Sequence, residues 1–331
     1  MHRADMDLML PVPADDRLPL GEPFTAAHAL ERGVTRTQLY RLSEQGVLRR
    51  VFRGVYVDSA ADDDLLMRAR ALSLVVPPTA VVTDECAAWA RGVDLVARGD
   101  HVIPPPVSIV QPHGHGRVRQ RGADGGRRLL FPRDVETLHG IRLTTSLRTA
   151  LDLSRTRSRF GGIAALDAML RTRDFSHEEM LREIARFRGF RGVVRLRTLA
   201  PLADPRAESP AESVLRLLWL DAGLPAPTPQ VPICDDAGWE VYRLDLGLPE
   251  IRYAAEYDGA AWHSSPTQRA HDRRRRAWLR DERGWIIDVI DPATGEPAAP
   301  GTHGDRTLKL VELAPGVTED EVREKTEPAL L

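Results

Sequence analysis

Apolar residues in the C-terminal third of the chain follow first the period of a helix and then the period of two strands. The stretch 209–222 has the spacing of an amphipathic helix, with an apolar stripe at Val214, Leu217, Leu218 and Leu220. Ser209 as the N-cap residue and Glu212 three residues later match a capping box. Glu212 therefore already has a structural explanation, although we keep it as a candidate site residue.

Two strands with strict alternation are predicted next, at residues 241–246 and 251–258. Their acids, Asp245, Glu256 and Asp258, all fall on the polar side of that alternation. If the strands pair antiparallel with Asp245 opposite Glu256, the carboxylates converge, and a cation or proton uptake must offset their repulsion. Such hard oxygen ligands suit Mg²⁺ or Mn²⁺. The alternative is a solvated sheet face.

The N-terminal pattern begins after Pro23 and predicts three short helical pieces. One covers residues 25–32, the next covers 35–39 and continues through 45, and a turn at Gly33 separates the first two. Thr35 is a plausible N-cap. Residues 47–57 have the β-branched and aromatic content of two short strands that turn near Arg53. This order of elements predicts a winged helix-turn-helix.

Side chains suited to DNA are concentrated in this predicted motif. Those on the second helix are Arg36, Thr37, Gln38 and Arg41, and those on the wing are Arg49, Arg50 and Arg53. Arginine, threonine and glutamine contact base edges or phosphates in a major groove. The alternative is a small helical cap whose arginines are simply solvated.

The middle of the chain predicts a mixed α+β region. We expect helices at 65–74, 80–91, 160–171 and 176–185, a strand at 107–110, and a strand at 141–145 that leads into a helix capped by Thr145 or Ser146. His113 and His115 precede a basic, glycine-rich loop at 117–128, which we interpret as a polar loop because no nearby carboxylate or cysteine completes a ligand set.

Composition changes this picture little. The formal net charge of the 331 residues is −2, with arginine clustered at 32–53, 117–133 and 269–283. No apolar run approaches the roughly 18 residues that span a bilayer, and residues 1–20 lack the pattern of a signal peptide. We expect a cytoplasmic protein without a membrane partner, in which Cys86 and Cys234 are ordinary packing residues.

Two short motifs carry a resemblance over residues 22–200. The stretch TRTQLYRLSEQGVLRRVFRGVY at 35–56, together with TSLRTALDLSR at 145–155, is similar to AbiEi-type antitoxins. The resemblance implies an N-terminal DNA-binding domain and a toxin as a possible partner.

A second and more specific resemblance covers nearly all of residues 211–292. The segments RLDL at 243–246 and AEYDG at 255–259, followed by His263, Asp272 and the Arg275-Arg276 pair, resemble very-short-patch-repair-like endonuclease domains of the PD-(D/E)xK superfamily. This likeness implies a restriction-endonuclease-like fold, metal-dependent hydrolysis of phosphodiester bonds and a DNA-repair partner.

The resemblance assigns roles position by position. Asp245 stands at the metal-binding aspartate, Glu256 at the acid of the next strand, and Glu212 at the acid often found on the first helix. Asp258 replaces the lysine of the signature, so stabilising negative charge falls to the metal, to His263 or to the arginines. Arg275 and Arg276 belong to a basic helix at 269–283, which would lie along the phosphate backbone.

The sequence therefore predicts a multidomain α/β protein with an N-terminal winged helix-turn-helix, a mixed α+β middle region and a C-terminal restriction-endonuclease-like α/β domain. The predicted parts are an arm at 1–22, the winged helix at 23–60, the middle domain at 61–200, a linker at 201–210, the endonuclease-like domain at 211–292 and a tail at 293–331. The tail resembles that of a CoA-transferase β subunit, and we assign it no activity. The predicted function is DNA binding with metal-dependent phosphodiester hydrolysis. The alternative is a non-catalytic transcriptional regulator or antitoxin.

Overall fold

The structure is a computed structural model that describes residues 16–19, 21–95, 104–111, 123–126, 128–257 and 266–290. Its described strands form three sheets, accompanied by several helices, so the protein is of mixed α/β type. The chain divides into two compact units at Asp152 and Leu153. Most of the predicted arm and the whole of the predicted tail lie outside the described residues.

The first unit begins with a helix-turn-helix and an antiparallel hairpin. Its elements are β1 Phe24–Thr25, α1 Ala26–Glu31, α2 Arg36–Glu44, β2 Leu48–Phe52 and β3 Val55–Asp58. Strand β3 lies between β1 and β2. The helix predicted from residue 35 through 45 is present as α2, whose Leu39 and Leu42 are both buried in the same small core.

A five-stranded mixed sheet forms the rest of the first unit. Its elements are α3 Leu65–Ser73, β4 Val81–Val82, α4 Asp84–Trp89, β5 Val107–Val110, β6 Ala123–Gly126, β7 Val135–Leu138, β8 Ile141–Thr144 and α5 Ser146–Thr156, and α5 crosses into the second unit. The strand order is β6-β5-β4-β8-β7. Two predictions are corrected: β4 opens the stretch expected to be helical from residue 80, and β6 pairs within the expected basic loop.

The hairpin and the five-stranded sheet share one hydrophobic core. Val51, Phe52 and Val57 are buried together with Leu72 and Trp89. The rings of Phe52 and Trp89 meet edge to face, with centroids 5.5 Å apart. The winged helix and residues 61–152 therefore form one compact unit, although the sequence suggested two domains.

Helices form the first part of the second unit, and the first of them packs on the last, which precedes the sheet. They are α6 Arg159–Arg171, α7 His177–Glu183, α8 Val193–Leu199 and α9 Pro210–Asp221. A buried ion pair joins Arg216 of α9 to Asp167 of α6 at 2.6 Å. Asp167 also accepts a hydrogen bond from the backbone N–H of Asp204 at 2.8 Å. The predicted linker at 201–210 is thus held to the helices on both sides of it.

A four-stranded sheet completes the described part of the second unit. Its elements are β9 Thr228–Cys234, β10 Glu240–Leu248, β11 Tyr253–Tyr257, α10 Pro266–Asp281 and β12 Ile286–Ile290, in the strand order β12-β11-β10-β9. Leu215 and Trp219 of α9 pack on Leu246, while Leu279 of α10 packs on Ala254 in a separate cluster. Both helices therefore help to bury the central strands.

The helices of the described residues include none with the length and apolar character needed to cross a membrane.

Candidate functional site

One face of α2 is fully presented to solvent. Thr35 caps the helix: its Oγ1 accepts from the N–H of Gln38 at 3.2 Å, and the side chain of Gln38 accepts in return from the N–H of Thr35 at 2.8 Å. Leu39 and Leu42 point into the core. The residues exposed on the outside of the helix are Arg36, Thr37, Tyr40 and Arg41.

The structure thus brings three of the four predicted helix residues together as exposed side chains. The amide oxygen of Gln38 is engaged in the capping box, so this side chain has a structural role of its own. Sequence analysis missed Tyr40, whose side chain is 65% exposed. Its position one turn after Arg36 was the available signal, because residues four apart share a helix face.

The wing arginines are placed in two different ways. Arg50 and Arg53 are exposed, and Arg53 precedes the turn at Gly54. Arg49 is half-buried, and its guanidinium lies 3.9 Å from a carboxylate oxygen of Asp63. Arg49 is therefore turned toward the protein, away from the position that we predicted for it.

A buried network of charges lies in the same unit and escaped the sequence analysis. Arg128 binds both oxygens of Asp84, at 2.9 and 2.8 Å, and reaches Asp152 at 3.0 Å. Arg148 reaches the same Asp152 at 2.8 Å and Asp134 at 2.9 Å. The i, i+4 spacing of Arg148 and Asp152 in the TSLRTALDL stretch was the only local signal. Charges buried this deeply need such partners, and the network ties the start of α4 to α5.

Three predicted acids approach one another at the end of the C-terminal sheet. The antiparallel register pairs Leu246 with Ala255, and continuing it by one residue sets Asp245 opposite Glu256, as predicted. The N–H of Tyr257 donates to Asp245 Oδ2 at 2.9 Å. Electrostatic repulsion from both Glu212 and Glu256 acts on Asp245.

Burial, together with the charges of Glu212 and Glu256, raises the pKa of Asp245 to about 7 against the opposing effects of the Tyr257 N–H and Arg275. A carboxyl group surrounded in this way changes its charge near neutral pH. Such perturbed acids are concentrated at functional sites, although structural ion-pair networks produce them too.

Glu212 departs from the predicted capping box. Its backbone N–H donates to Ser209 Oγ at 3.2 Å, which is the expected half of the motif. Its carboxylate, however, accepts from the N–H of Glu208 at 2.8 Å and from Gln230 Nε2 at 2.7 Å. Gln230 has a φ of 55°, a left-handed conformation that is uncommon for a residue with a side chain.

Glu256 is only 6% exposed, so the predicted polar face is in fact covered. The reason is α10, from which Arg275 forms an ion pair with Glu256. The guanidinium of Arg275 also lies 5.4 Å from the ring centre of Tyr242. Arg276, the neighbouring arginine, is half-buried.

The donor chemistry of Asp245 and Glu256 suits a hard divalent cation. Within the described residues, however, no group of three histidines, cysteines or acids is arranged to hold a metal ion. Asp258, the predicted third ligand, and His263 both lie outside the described residues. Mg²⁺ or Mn²⁺ binding here stays a prediction.

Comparisons with known proteins match two parts of the chain. Residues 21–57 match the family described as "Transcriptional regulator, AbiEi antitoxin", and residues 79–202 match "AbiEi antitoxin C-terminal domain". The first match contains α2 and the hairpin, and the second contains the Arg128–Arg148 network. Both matches end before the acidic cluster.

Two proteins described as uncharacterized, from the CDC 1551 and H37Rv strains of Mycobacterium tuberculosis, are each 37% identical to the chain over 287 residues. The alignments cover 85% of this chain and 100% of each relative.

Proposed function

The chain belongs to the family of these two mycobacterial proteins and carries AbiEi antitoxin-type domains, and on that premise we propose that it is a sequence-specific DNA-binding regulator of the antitoxin type. The observation that carries the proposal is the outer face of α2. Arg36, Thr37, Tyr40 and Arg41 are exposed there while the opposite face is buried in the core.

In this proposal α2 enters the major groove of duplex DNA. Arg36 and Arg41 supply charged donors for guanine edges or phosphates, Thr37 supplies a hydroxyl, and Tyr40 supplies an aromatic face for a thymine methyl group. Arg50 and Arg53 of the hairpin contact phosphates, which position the protein without reading sequence. The partner expected for a regulator of this type, besides DNA, is a toxin protein.

The test starts from a random duplex library, from which the full-length protein selects its preferred sequence. Fluorescence anisotropy then compares the selected duplex with a scrambled one for the wild type and for Arg36→Ala plus Arg41→Ala. We expect the double variant to lose about 10- to 100-fold in affinity for the selected duplex per base contact removed. A matched control, Arg133→Ala plus Arg182→Ala, removes the same charge from exposed positions outside α2. Equal affinities of wild type and double variant would refute the proposal.

As a second candidate function we propose metal-dependent phosphodiester hydrolysis by an endonuclease-like C-terminal domain. The observation that favours it is the approach of Asp245 and Glu256 beside Glu212, with the pKa of Asp245 raised to about 7. Mg²⁺ or Mn²⁺ held by Asp245, Glu256 and Asp258 would supply Lewis-acid chemistry.

The remaining roles in this candidate function belong to side chains of the chain itself. Glu212 orients the site through its hydrogen bond with Gln230. His263 positions or deprotonates the attacking water. Arg275 and Arg276 stabilise charge on the phosphate. For Arg275 this requires that its ion pair with Glu256 be replaced by a contact with the substrate phosphate.

Cleavage of supercoiled plasmid and of single-stranded DNA in Mg²⁺ or Mn²⁺ tests this candidate. The wild type is compared with Asp245→Ala plus Glu256→Ala, and with Glu250→Ala as an exposed acid of the same domain. Metal binding is measured independently by titration calorimetry. Cleavage that requires metal and is lost only in the double variant supports a nuclease. Absence of both cleavage and metal binding in the wild type would reject it and leave the regulator proposal intact.

A further inference from the structure

A strongly basic segment lies outside both sites described so far. Residues 153–200 contain eleven arginines and five acids, a formal charge of +6, whereas the whole chain has a formal charge of −2. Five of these arginines fall in residues 186–197, which contain no acid. We propose that Arg188, Arg191 and Arg197, here called the loop arginines, form a second phosphate-binding surface that contacts the backbone of duplex DNA. The inference rests on the proposed function only in taking duplex DNA as the partner.

The loop that carries Arg188 and Arg191 is held by its own packing, and Arg197 lies on α8, which follows the loop. Phe187 is 2% exposed and meets Phe190 edge to face, with ring centroids 5.5 Å apart. The guanidinium of Arg155 lies 5.6 Å from the ring centre of Phe190, and it donates to the carbonyl oxygen of Arg191 at 3.3 Å. A charged surface that is already ordered loses less conformational entropy when it binds.

Gly192 fixes the loop against the end of α5. Its φ is 80°, and a Cβ atom at this position would lie 1.9 Å from the carbonyl oxygen of Arg155. No other residue fits such an approach without a shift of the backbone. The loop is therefore built onto the helical core of its unit.

The arginines of the segment divide into two groups. Arg159 forms an ion pair with Asp221, Arg186 forms one with Glu183, and Arg195 donates to the carbonyl oxygen of Arg157. The loop arginines are exposed, and across the described parts of the chain none of them enters an ion pair. Their charge is thus available to an external anion.

The surroundings favour a phosphate backbone over a protein partner. Stable protein interfaces have an apolar centre surrounded by a polar rim. In residues 184–199, all of which are described, Val194 is the one large apolar side chain that is exposed, at 71%. Exposed arginines with so little apolar surface between them suit the regularly spaced charges of DNA.

The test uses the full-length chain with Arg188→Gln, Arg191→Gln and Arg197→Gln combined. Anisotropy titrations against a selected duplex and a scrambled duplex, at several salt concentrations, give the slope of log Kd against log salt concentration. Losing three phosphate contacts lowers the magnitude of that slope by about 2 to 3 and weakens binding roughly 100-fold at 0.15 M salt, equally for both duplexes. The matched control, with the same change of charge at exposed positions, is Arg70→Gln, Arg133→Gln and Arg182→Gln.

The outcomes separate this inference from the proposed regulator function. If the loop variant keeps the slope of the control while substitution of Arg36 and Arg41 removes sequence preference, the inference is wrong and the regulator stands. If the wild type binds both duplexes equally and the loop variant loses that binding, the second surface is supported and sequence-specific regulation is rejected. If the wild type binds no duplex DNA, or the loop variant loses only an acidic protein partner, the inference is overturned.

Discussion

Replacing Asp245 with asparagine is expected to stabilise the C-terminal unit at neutral and alkaline pH. The side chain is largely buried, and burial raises its pKa from 3.8 to about 7. Asparagine has nearly the same shape and keeps an oxygen that accepts the hydrogen bond from the N–H of Tyr257. The substitution therefore removes the ionisation while preserving the contact.

The magnitude follows from the difference between the folded and unfolded pKa values. Because the folded pKa is the higher one, the folded state binds more protons between pH 3.8 and 7, and stability falls as the pH rises through that range. At about 1.4 kcal/mol per pKa unit, Asp245 lowers the stability of the folded state by about 2 kcal/mol at pH 5.5, where it must take up a proton on folding, and by about 4 kcal/mol at pH 8, where it is mostly ionised. Asp245→Asn gains these amounts, which corresponds to a rise of about 10 °C in the unfolding temperature at pH 8.

Urea denaturation at pH 5.5 and pH 8 measures the free energy of unfolding. Hydrogen exchange of peptides from β10 and β11 reports the same change locally. Glu250→Gln is the control, since it makes the same carboxyl-to-amide change at an exposed position of the same unit. A variant that is no more stable than the wild type at pH 8, or whose gain does not grow with pH, would show that Asp245 is not held in a desolvated, acidic environment.

Two further predictions concern packing in the second unit. Arg216→Met leaves the carboxyl of Asp167 buried without its ion-pair partner, and we expect it to lower the free energy of unfolding by about 3 to 5 kcal/mol. The double variant with Asp167→Leu recovers most of that loss. A small effect of the single change would contradict the buried pair. Gly192→Ala is expected to lower the free energy of unfolding by more than about 2 kcal/mol because of the left-handed backbone and the contact with Arg155. Gly189 is the control, since it has a similar φ of 81° and no atom within 4 Å of its Cβ. Gly189→Ala is expected to lower the free energy of unfolding by only about 1 kcal/mol. Similar losses in both glycine variants, measured by thermal unfolding, would argue against the close approach.

Local signals in the sequence identified the features whose residues lie within a few positions of one another along the chain. The Thr35 cap agrees with the structure, and the register of β10 and β11, continued by one residue, sets Asp245 opposite Glu256. The predicted alternation of buried and exposed positions is wrong for β11, where residues 253–256 are all buried. Capping bonds and side-chain alternation depend on neighbours three or four positions apart, or on the period of a strand, and both are visible in a single sequence. The exposed face of α2 follows from its helical period in the same way.

Contacts between residues distant along the chain were decided by the tertiary structure. Arg128 reaches Asp84 across 44 residues, and Arg216 reaches Asp167 across 49. Which arginine pairs with which acid depends on which elements pack together, and a chain with 46 basic and 48 acidic residues allows many pairings. The same reason explains why Arg49 turns toward Asp63 and why the predicted middle domain is divided between two compact units.

The acidic cluster shows both contributions at one place. The sequence by itself determined that Asp245 and Glu256 share a side of adjacent strands, because side chains alternate with a period of two. Only the tertiary structure decided that α10 covers this side, that Arg275 pairs with Glu256, and that burial raises the pKa of Asp245 to about 7. Desolvation depends on everything that packs above a residue, and that information is spread over the whole chain.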